Sequence, residues 1–119
     1  MPGVSIHAVD VSRGIVAEGM HVELYVLGSD EHERRLVARG RISGKGLLED
    51  PALETRFAPG YLEAVFYVGR FYEATGVSLP SVPFLDVVPY RFGIADSDQH
   101  FHLPFKFTPW GYSCFRGGA

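Results

Sequence analysis

His100, His102 and Lys106 alternate along one short stretch, with Pro104 between them and Thr108 beyond. The intervening residues are Phe101, Leu103, Phe105 and Phe107, so the stretch reads as a strand with an aromatic core face and a titratable outer face. A further imidazole, His7, falls in Ser5 to Val11, where Ile6 and Ala8 oppose Ser5, His7, Val9 and Val11. Imidazoles titrate near neutral pH, so a pair of them can divide the work of general base and general acid. Other chemistries have less support. His100-x-His102 alone lacks the further ligands of a metal site, and none is expected. Cys114 alternates with Ser113 and Phe115 and is expected to point into the core, which argues against a thiol nucleophile. Ser43-Gly44-Lys45-Gly46 is too short and isolated for a phosphate loop. His21 and His32 read as solvated surface residues.

The elements that must hold these groups are short strands. Ser5 to Val11 is the first, and Ser12-Arg13-Gly14 turns the chain. Met20 to Leu27 follows, with Met20, Val22, Leu24 and Val26 inward and His21, Glu23 and Tyr25 outward. Gly28-Ser29-Asp30-Glu31 is a turn, and the charged stretch Arg34 to Ile42 suits a sheet edge. After the Ser43–Gly46 turn, Glu54 to Phe57 is expected as a short strand, and Gly60 to Val68 alternates well. Gly69 to Thr75 breaks the two-residue period and suits a short helix ended by Gly76. Leu79 to Pro83 is a loop. Asp86 to Ile94 resumes as strand, and Pro89 argues that one side of it lacks a ladder partner. Pro109-Trp110-Gly111 turns the last hairpin, with Tyr112 to Arg116 returning as a strand. Seven or eight strands and one small helix predict an all-β, two-sheet β-sandwich, a single domain over residues 1–119.

Composition excludes several classes of function. Hydrophobic residues make up 46% and charged residues 21% of 119, ordinary values for a globular domain. Nine Phe, six Tyr, 14 Gly and 8 Pro favour strands and turns over helices. A net charge of −3 gives nucleic acid no electrostatic support. No apolar run approaches membrane-spanning length, so no membrane partner is expected. One cysteine rules out an internal disulfide framework. No leader-like basic and apolar stretch is visible, and a soluble cytoplasmic protein is the default expectation.

Taken together, Ile6-His7-Ala8-Val9-Asp10, Gly40 to Gly46, Phe84-Leu85-Asp86-Val87-Val88-Pro89 with Arg91-Phe92-Gly93-Ile94, and the run from His-x-His-x-Pro to Phe115-Arg116-Gly117-Gly118 resemble the 5-hydroxyisourate hydrolases of the transthyretin-like family. The resemblance covers essentially the whole chain. It implies a transthyretin-like sandwich of two four-stranded sheets, a homotetramer with active sites in a channel between dimers, and a small heterocyclic substrate opened without a cofactor. By position, His7 and His102 match the family's two histidines. Lys45 falls where the family has Arg, Phe115-Arg116-Gly117-Gly118 where it has Tyr-Arg-Gly-Ser, and Lys106 where it has Leu. Opening a cyclic amide needs an activated water, a donor for the oxyanion and an acid for the leaving nitrogen. The resemblance gives the proton work to His7 and His102 and the oxyanion to Lys45. Substrate contacts would come from Phe115, Ser113, Arg116, Lys106 and Thr108. Two alternatives stay open on these residues: a tetramer acting on another small molecule, and one that binds without catalysis.

Overall fold

The computed structural model describes residues 2–30 and 32–118; Met1, Glu31 and Ala119, the second of them assigned by sequence to a turn, lie outside the described residues. In chain order the strands are β1 (Gly3–Asp10), β2 (Ile15–Val16), β3 (His21–Leu27), β4 (Arg34–Arg41) and β5 (Gly60–Tyr67). Helix α1 (Val68–Thr75) follows, then β6 (Val87–Ile94), β7 (His100–Thr108) and β8 (Gly111–Cys114). One four-stranded sheet has the order β2-β1-β7-β8 and the other β4-β3-β5-β6. The expected sandwich is therefore the observed one.

Alternation decides which faces meet. From the first sheet, Val4, Ile6 and Ala8 of β1 and Phe101, Leu103, Phe105 and Phe107 of β7 point inward. They meet Val22 and Leu24 of β3, Leu62, Ala64 and Phe66 of β5, and Val88 and Ile94 of β6. Phe66 and Phe105 stack across the interface at 3.8 Å between ring centres. Each fully buried aliphatic or phenyl side chain of this kind stabilises the fold by roughly 1.5–3 kcal/mol. β4 and β6 are the edges of the second sheet, where arginines and Pro89 are tolerated.

β1 pairs with β7 in parallel, from Gly3 opposite His100 to Asp10 opposite Phe107. Among the described residues this is the one parallel ladder, the others being antiparallel. It puts Ser5 beside His102 and His7 beside Pro104 on the outer face. Helix α1 buries Val68, Phe71 and Tyr72, one face at helical spacing. Gly76 stops it in the left-handed conformation, φ 78°, its N–H returning to the carbonyls of Tyr72 and Glu73.

The inward row of β1 ends on a carboxylate. Asp10 is completely buried. Its Oδ1 accepts from Ser12 N at 3.1 Å, Ser12 Oγ at 2.6 Å and Tyr72 Oη at 2.8 Å, and its Oδ2 accepts from Arg13 Nε at 2.7 Å. Burial by itself would raise the Asp10 pKa, but these donors and the guanidinium together hold it below its ordinary value. Burial is also the main reason that Tyr72 is pushed up to about 12.

Two sequence expectations need correction. Glu54 to Phe57 is not a strand: Pro51–Glu54 forms a 3-10 helix instead, and 55–57 are irregular. Asp50 caps that helix by accepting from Ala52 N at 2.9 Å, and Pro51 supplies a ready-made first turn. The last strand ends at Cys114 rather than Arg116.

Candidate active site

The outer face of the β2-β1-β7-β8 sheet collects the titratable groups in rows set by the ladder. Ser5 and His102 form one row, His7 and Pro104 the next, and Val9, Lys106 and Ser113 the one after. His7 and His102 are thus diagonal neighbours on adjacent strands, with ring centres 6.5 Å apart and ring planes tilted by 34°.

Two glycines wall this pair. The Ser43–Leu47 turn is closed by Ser43 N to Leu47 O at 2.9 Å and Gly46 N to Ser43 O at 2.9 Å. It lies beside β2 along the edge of β1 away from β7, through Ala8 N to Gly46 O at 2.9 Å. Gly46 has φ +81°, and a Cβ there would sit 2.5 Å from His7 Nε2. Lys45, exposed at the tip of the turn, is thereby held one residue from the His7 ring. On the other side, the tail continues past β8 in the same register, with Gly117 N donating to His102 O at 2.7 Å. A Cβ on Gly117 would lie 2.7 Å from His102 Cδ2. The histidines therefore occupy a trough bounded by the 43–47 turn and the 115–118 tail.

Burial lowers the His102 pKa, and the neighbouring His7 and His100 lower it further. A neutral imidazole with a free lone pair is the form a general base needs at neutral pH. His102 is also tied from behind. Ser5 Oγ lies 2.6 Å from His102 Nδ1 and 2.8 Å from His100 Nε2, bridging the two rings. His100 Nδ1 is buried without a hydrogen-bond partner among the described residues.

The other expected site residues divide. Lys106 and Phe115 share the outer face, with the ammonium 5.7 Å from the ring centre, and Ser113 stands opposite Lys106. Phe115, in the tail that bounds the trough, falls one row from His102 in the continued register. Lys106 is farther along the sheet, four residues from His102, about 13 Å of strand. Thr108 is six residues away, about 20 Å, and its hydroxyl accepts from Trp110 N at 3.0 Å, closing the hairpin turn. Arg116 leaves the face altogether. Its guanidinium lies over the Phe101 ring at 4.1 Å and reaches Gln99 Oε1 and His100 O. Within one protomer the Thr108 hydroxyl and the Arg116 guanidinium are thus engaged away from the His102 ring.

Elsewhere the outcome is simpler. Cys114 packs against the core, and burial pushes its thiol up to about 12, as an inert cysteine requires. His21, read as solvated, donates toward Glu23 at 3.1 Å and packs near Tyr67 on the other sheet. Among the described residues no group of three or more His, Cys, Asp or Glu could hold a metal ion. No helix is long and apolar enough to cross a membrane. Sequence reasoning missed Ser5 and the two wall glycines. Ser5 could have been found from its parity, since it shares the outer face with His7 two residues later.

Displacing an imidazole by even 1 Å can lower turnover by about 100-fold. Gly117→Ala, which drives a methyl group into the His102 ring, is expected to do this while the protein stays folded. Steady-state turnover together with circular dichroism checks it; unchanged kcat would mean that the tail does not set the ring's position.

Comparison with known proteins follows the same geometry. Residues 4–117 match the HIUase/Transthyretin family. The chain is 39% identical over 115 residues to 5-hydroxyisourate hydrolase 2 of Rhizobium meliloti, covering 96% of this chain and 94% of the relative. Among solved structures it resembles the 5-hydroxyisourate hydrolase of Klebsiella pneumoniae, with TM-score 0.78, 25% identity and 99% and 100% of the two chains covered. It also resembles an (S)-allantoin synthase, with TM-score 0.87 and 34% identity over 98% of this chain, but spans only 43% of that protein's length.

Proposed function

Because the chain belongs to the HIUase/Transthyretin family, we propose that its histidine trough opens a ring amide of 5-hydroxyisourate by hydrolysis. The observation that carries this reading is the diagonal His7–His102 pair, 6.5 Å apart on an outward sheet face. Water entering between the rings gives a proton to His102 Nε2, and its oxygen adds to the ring carbonyl carbon. Lys45, at the tip of the neighbouring turn, supplies positive charge to the oxyanion. As the tetrahedral adduct collapses, the carbon–nitrogen bond breaks and the proton held on His102 passes by way of His7 to the departing nitrogen, which restores both imidazoles. Water is consumed and a carboxylate and an amide or amine nitrogen are produced, so no cofactor is needed for balance.

Within one protomer the trough has a floor and two walls, while Lys106, Ser113 and Phe115 beside it are exposed. A homotetramer with the trough facing a channel supplies the missing cover and brings the Lys106–Phe115 stretch of one copy toward the substrate of another. A cytoplasmic location belongs to the same proposal. Lys106 favours one second reading, a related heterocycle carrying more negative charge, because its exposed ammonium, 5.7 Å from the Phe115 ring centre, offers an anion a positive partner.

Freshly generated 5-hydroxyisourate tests the proposal directly. Catalysed loss of its absorbance, well above the spontaneous rate, is expected, together with a tetramer in sedimentation at micromolar concentration. No acceleration would remove the substrate assignment, and an active monomer would remove the shared channel.

A further inference from the structure

We propose that Ser5 is a positioning residue that fixes which nitrogen of His102 carries the proton, by accepting a hydrogen bond from its Nδ1. The inference rests on the reading of His102 as general base.

The argument is one of proton counting. Ser5 Oγ lies within hydrogen-bond distance of one nitrogen on each of two imidazoles, His102 Nδ1 at 2.6 Å and His100 Nε2 at 2.8 Å. A hydroxyl has one proton to give and two lone pairs, and each neutral imidazole has one N–H. Ser5 therefore accepts from one ring and donates to the other, or accepts from both. In the first arrangement, His102 Nδ1–H donates to Ser5 and Ser5 donates to His100 Nε2, leaving His102 Nε2 with a bare lone pair. In the second, every proton is reversed and His102 Nε2 carries hydrogen, which disables it as a base. In the third, both rings donate to Ser5 and His102 Nε2 is again bare.

General-base chemistry needs His102 to donate to Ser5, as in the first and the third arrangements. Neither needs any rearrangement during turnover. When His102 Nε2 takes a proton from water, the ring becomes an imidazolium whose Nδ1–H already donates to Ser5, and that bond strengthens with the charge. The charge is otherwise opposed there by burial and by His7 and His100, so a fixed acceptor behind the ring matters.

His100 completes the set. His100 Nδ1 is buried and unpartnered among the described residues, so a proton there would be an orphaned donor, and the ring carries its hydrogen on Nε2. His100 therefore donates to Ser5, which, with the need for a bare His102 Nε2, selects the third arrangement: both rings donate to one serine oxygen. The three residues come from two adjacent parallel strands, with Ser5 directly opposite His102 and His100 one row away. A rigid ladder, rather than a loop, sets their spacing.

Nitrogen-15 spectra of histidine-labelled protein read the tautomer without reference to activity. In wild type His102 is expected with hydrogen on Nδ1 and a bare Nε2. Ser5→Ala is expected to convert this to a mixture of tautomers in a folded protein, with kcat for 5-hydroxyisourate down about 10- to 100-fold and KM within about two-fold. Ser5→Thr, which keeps the hydroxyl, should restore the spectrum and most of the rate. A His102 signal unchanged by Ser5→Ala, or hydrogen on Nε2 in wild type, overturns the inference even with hydrolysis intact. If the tautomer shifts as expected but wild type does not accelerate the hydrolysis, the role of Ser5 in setting the ring stands and the substrate reading fails.

Discussion

His102→Ala is expected to lower kcat for 5-hydroxyisourate hydrolysis by about 10² to 10⁴, the range for loss of a positioned proton-transfer group. The loss should fall on kcat rather than on stability, because His102 is on the outer face and its strand is held by the four aromatic and aliphatic residues beneath it. His7→Ala should fall in the same range, and the double variant should lose far less than the product of the two, since the groups act on one reaction in sequence. Steady-state kinetics beside thermal unfolding curves decide it. Near-wild-type turnover in either single variant would remove that histidine from the proton pathway.

The largest effect on stability is expected at Asp10. Asp10→Ala takes away the acceptor for Ser12, Arg13 and Tyr72 at once and leaves the Tyr72 hydroxyl buried and unsatisfied. Leaving a buried hydroxyl unsatisfied costs about 1–3 kcal/mol, and the other lost hydrogen bonds add to it. Acid should reproduce part of the effect. The carboxyl is held below its ordinary value of 3.8 in the folded protein, so its contribution is fully present above that value. It is lost as pH falls through the lower folded value. The stability difference between wild type and Asp10→Ala should therefore shrink on going from pH 7 toward pH 2. Urea unfolding at several pH values measures it, and a difference that does not change with pH would mean the carboxylate's charge is not what the cluster uses.

The strands were legible because one face of each is buried, so period-two alternation appears directly in the sequence. β7 shows it most plainly, and the same alternation exposed His102 and Lys106 as outward residues. Glu54 to Phe57 misled because it is short and its Thr55 and Phe57 suit a strand, whereas the stronger signal lay just before it in Asp50-Pro51. Asp10 was silent for a different reason. A carboxylate reads as surface, and only the meeting of β1 with α1 supplies its tyrosine donor. The candidate site was legible as residue types, but not as contacts. Nothing in spacing says that Ser5 bridges His100 and His102, because that bridge depends on which strands are neighbours. Thr108 and Arg116 were placed by parity or by resemblance, and their local partners, a turn amide and the Phe101 ring, took them elsewhere.

The parallel union of β1 with β7 also governs how the protein comes into being. Val4 meets Phe101 and His7 meets Pro104 across nearly the whole sequence. During synthesis the ribosome releases β1 first, and its neighbour on that side does not exist until almost everything else has emerged. The β4-β3-β5-β6 sheet, with shorter sequence separations, can be complete by then. Long-range pairings of this sort close slowly, so β1 waits with an unpaired edge. The outward row that carries Ser5 and His7 can afford polarity during that wait, while the inward row of Val4, Ile6 and Ala8 is the stretch that a nascent-chain chaperone would have to shield. Catalytic competence is then acquired in one late event, when β7 docks, rather than growing gradually along the chain.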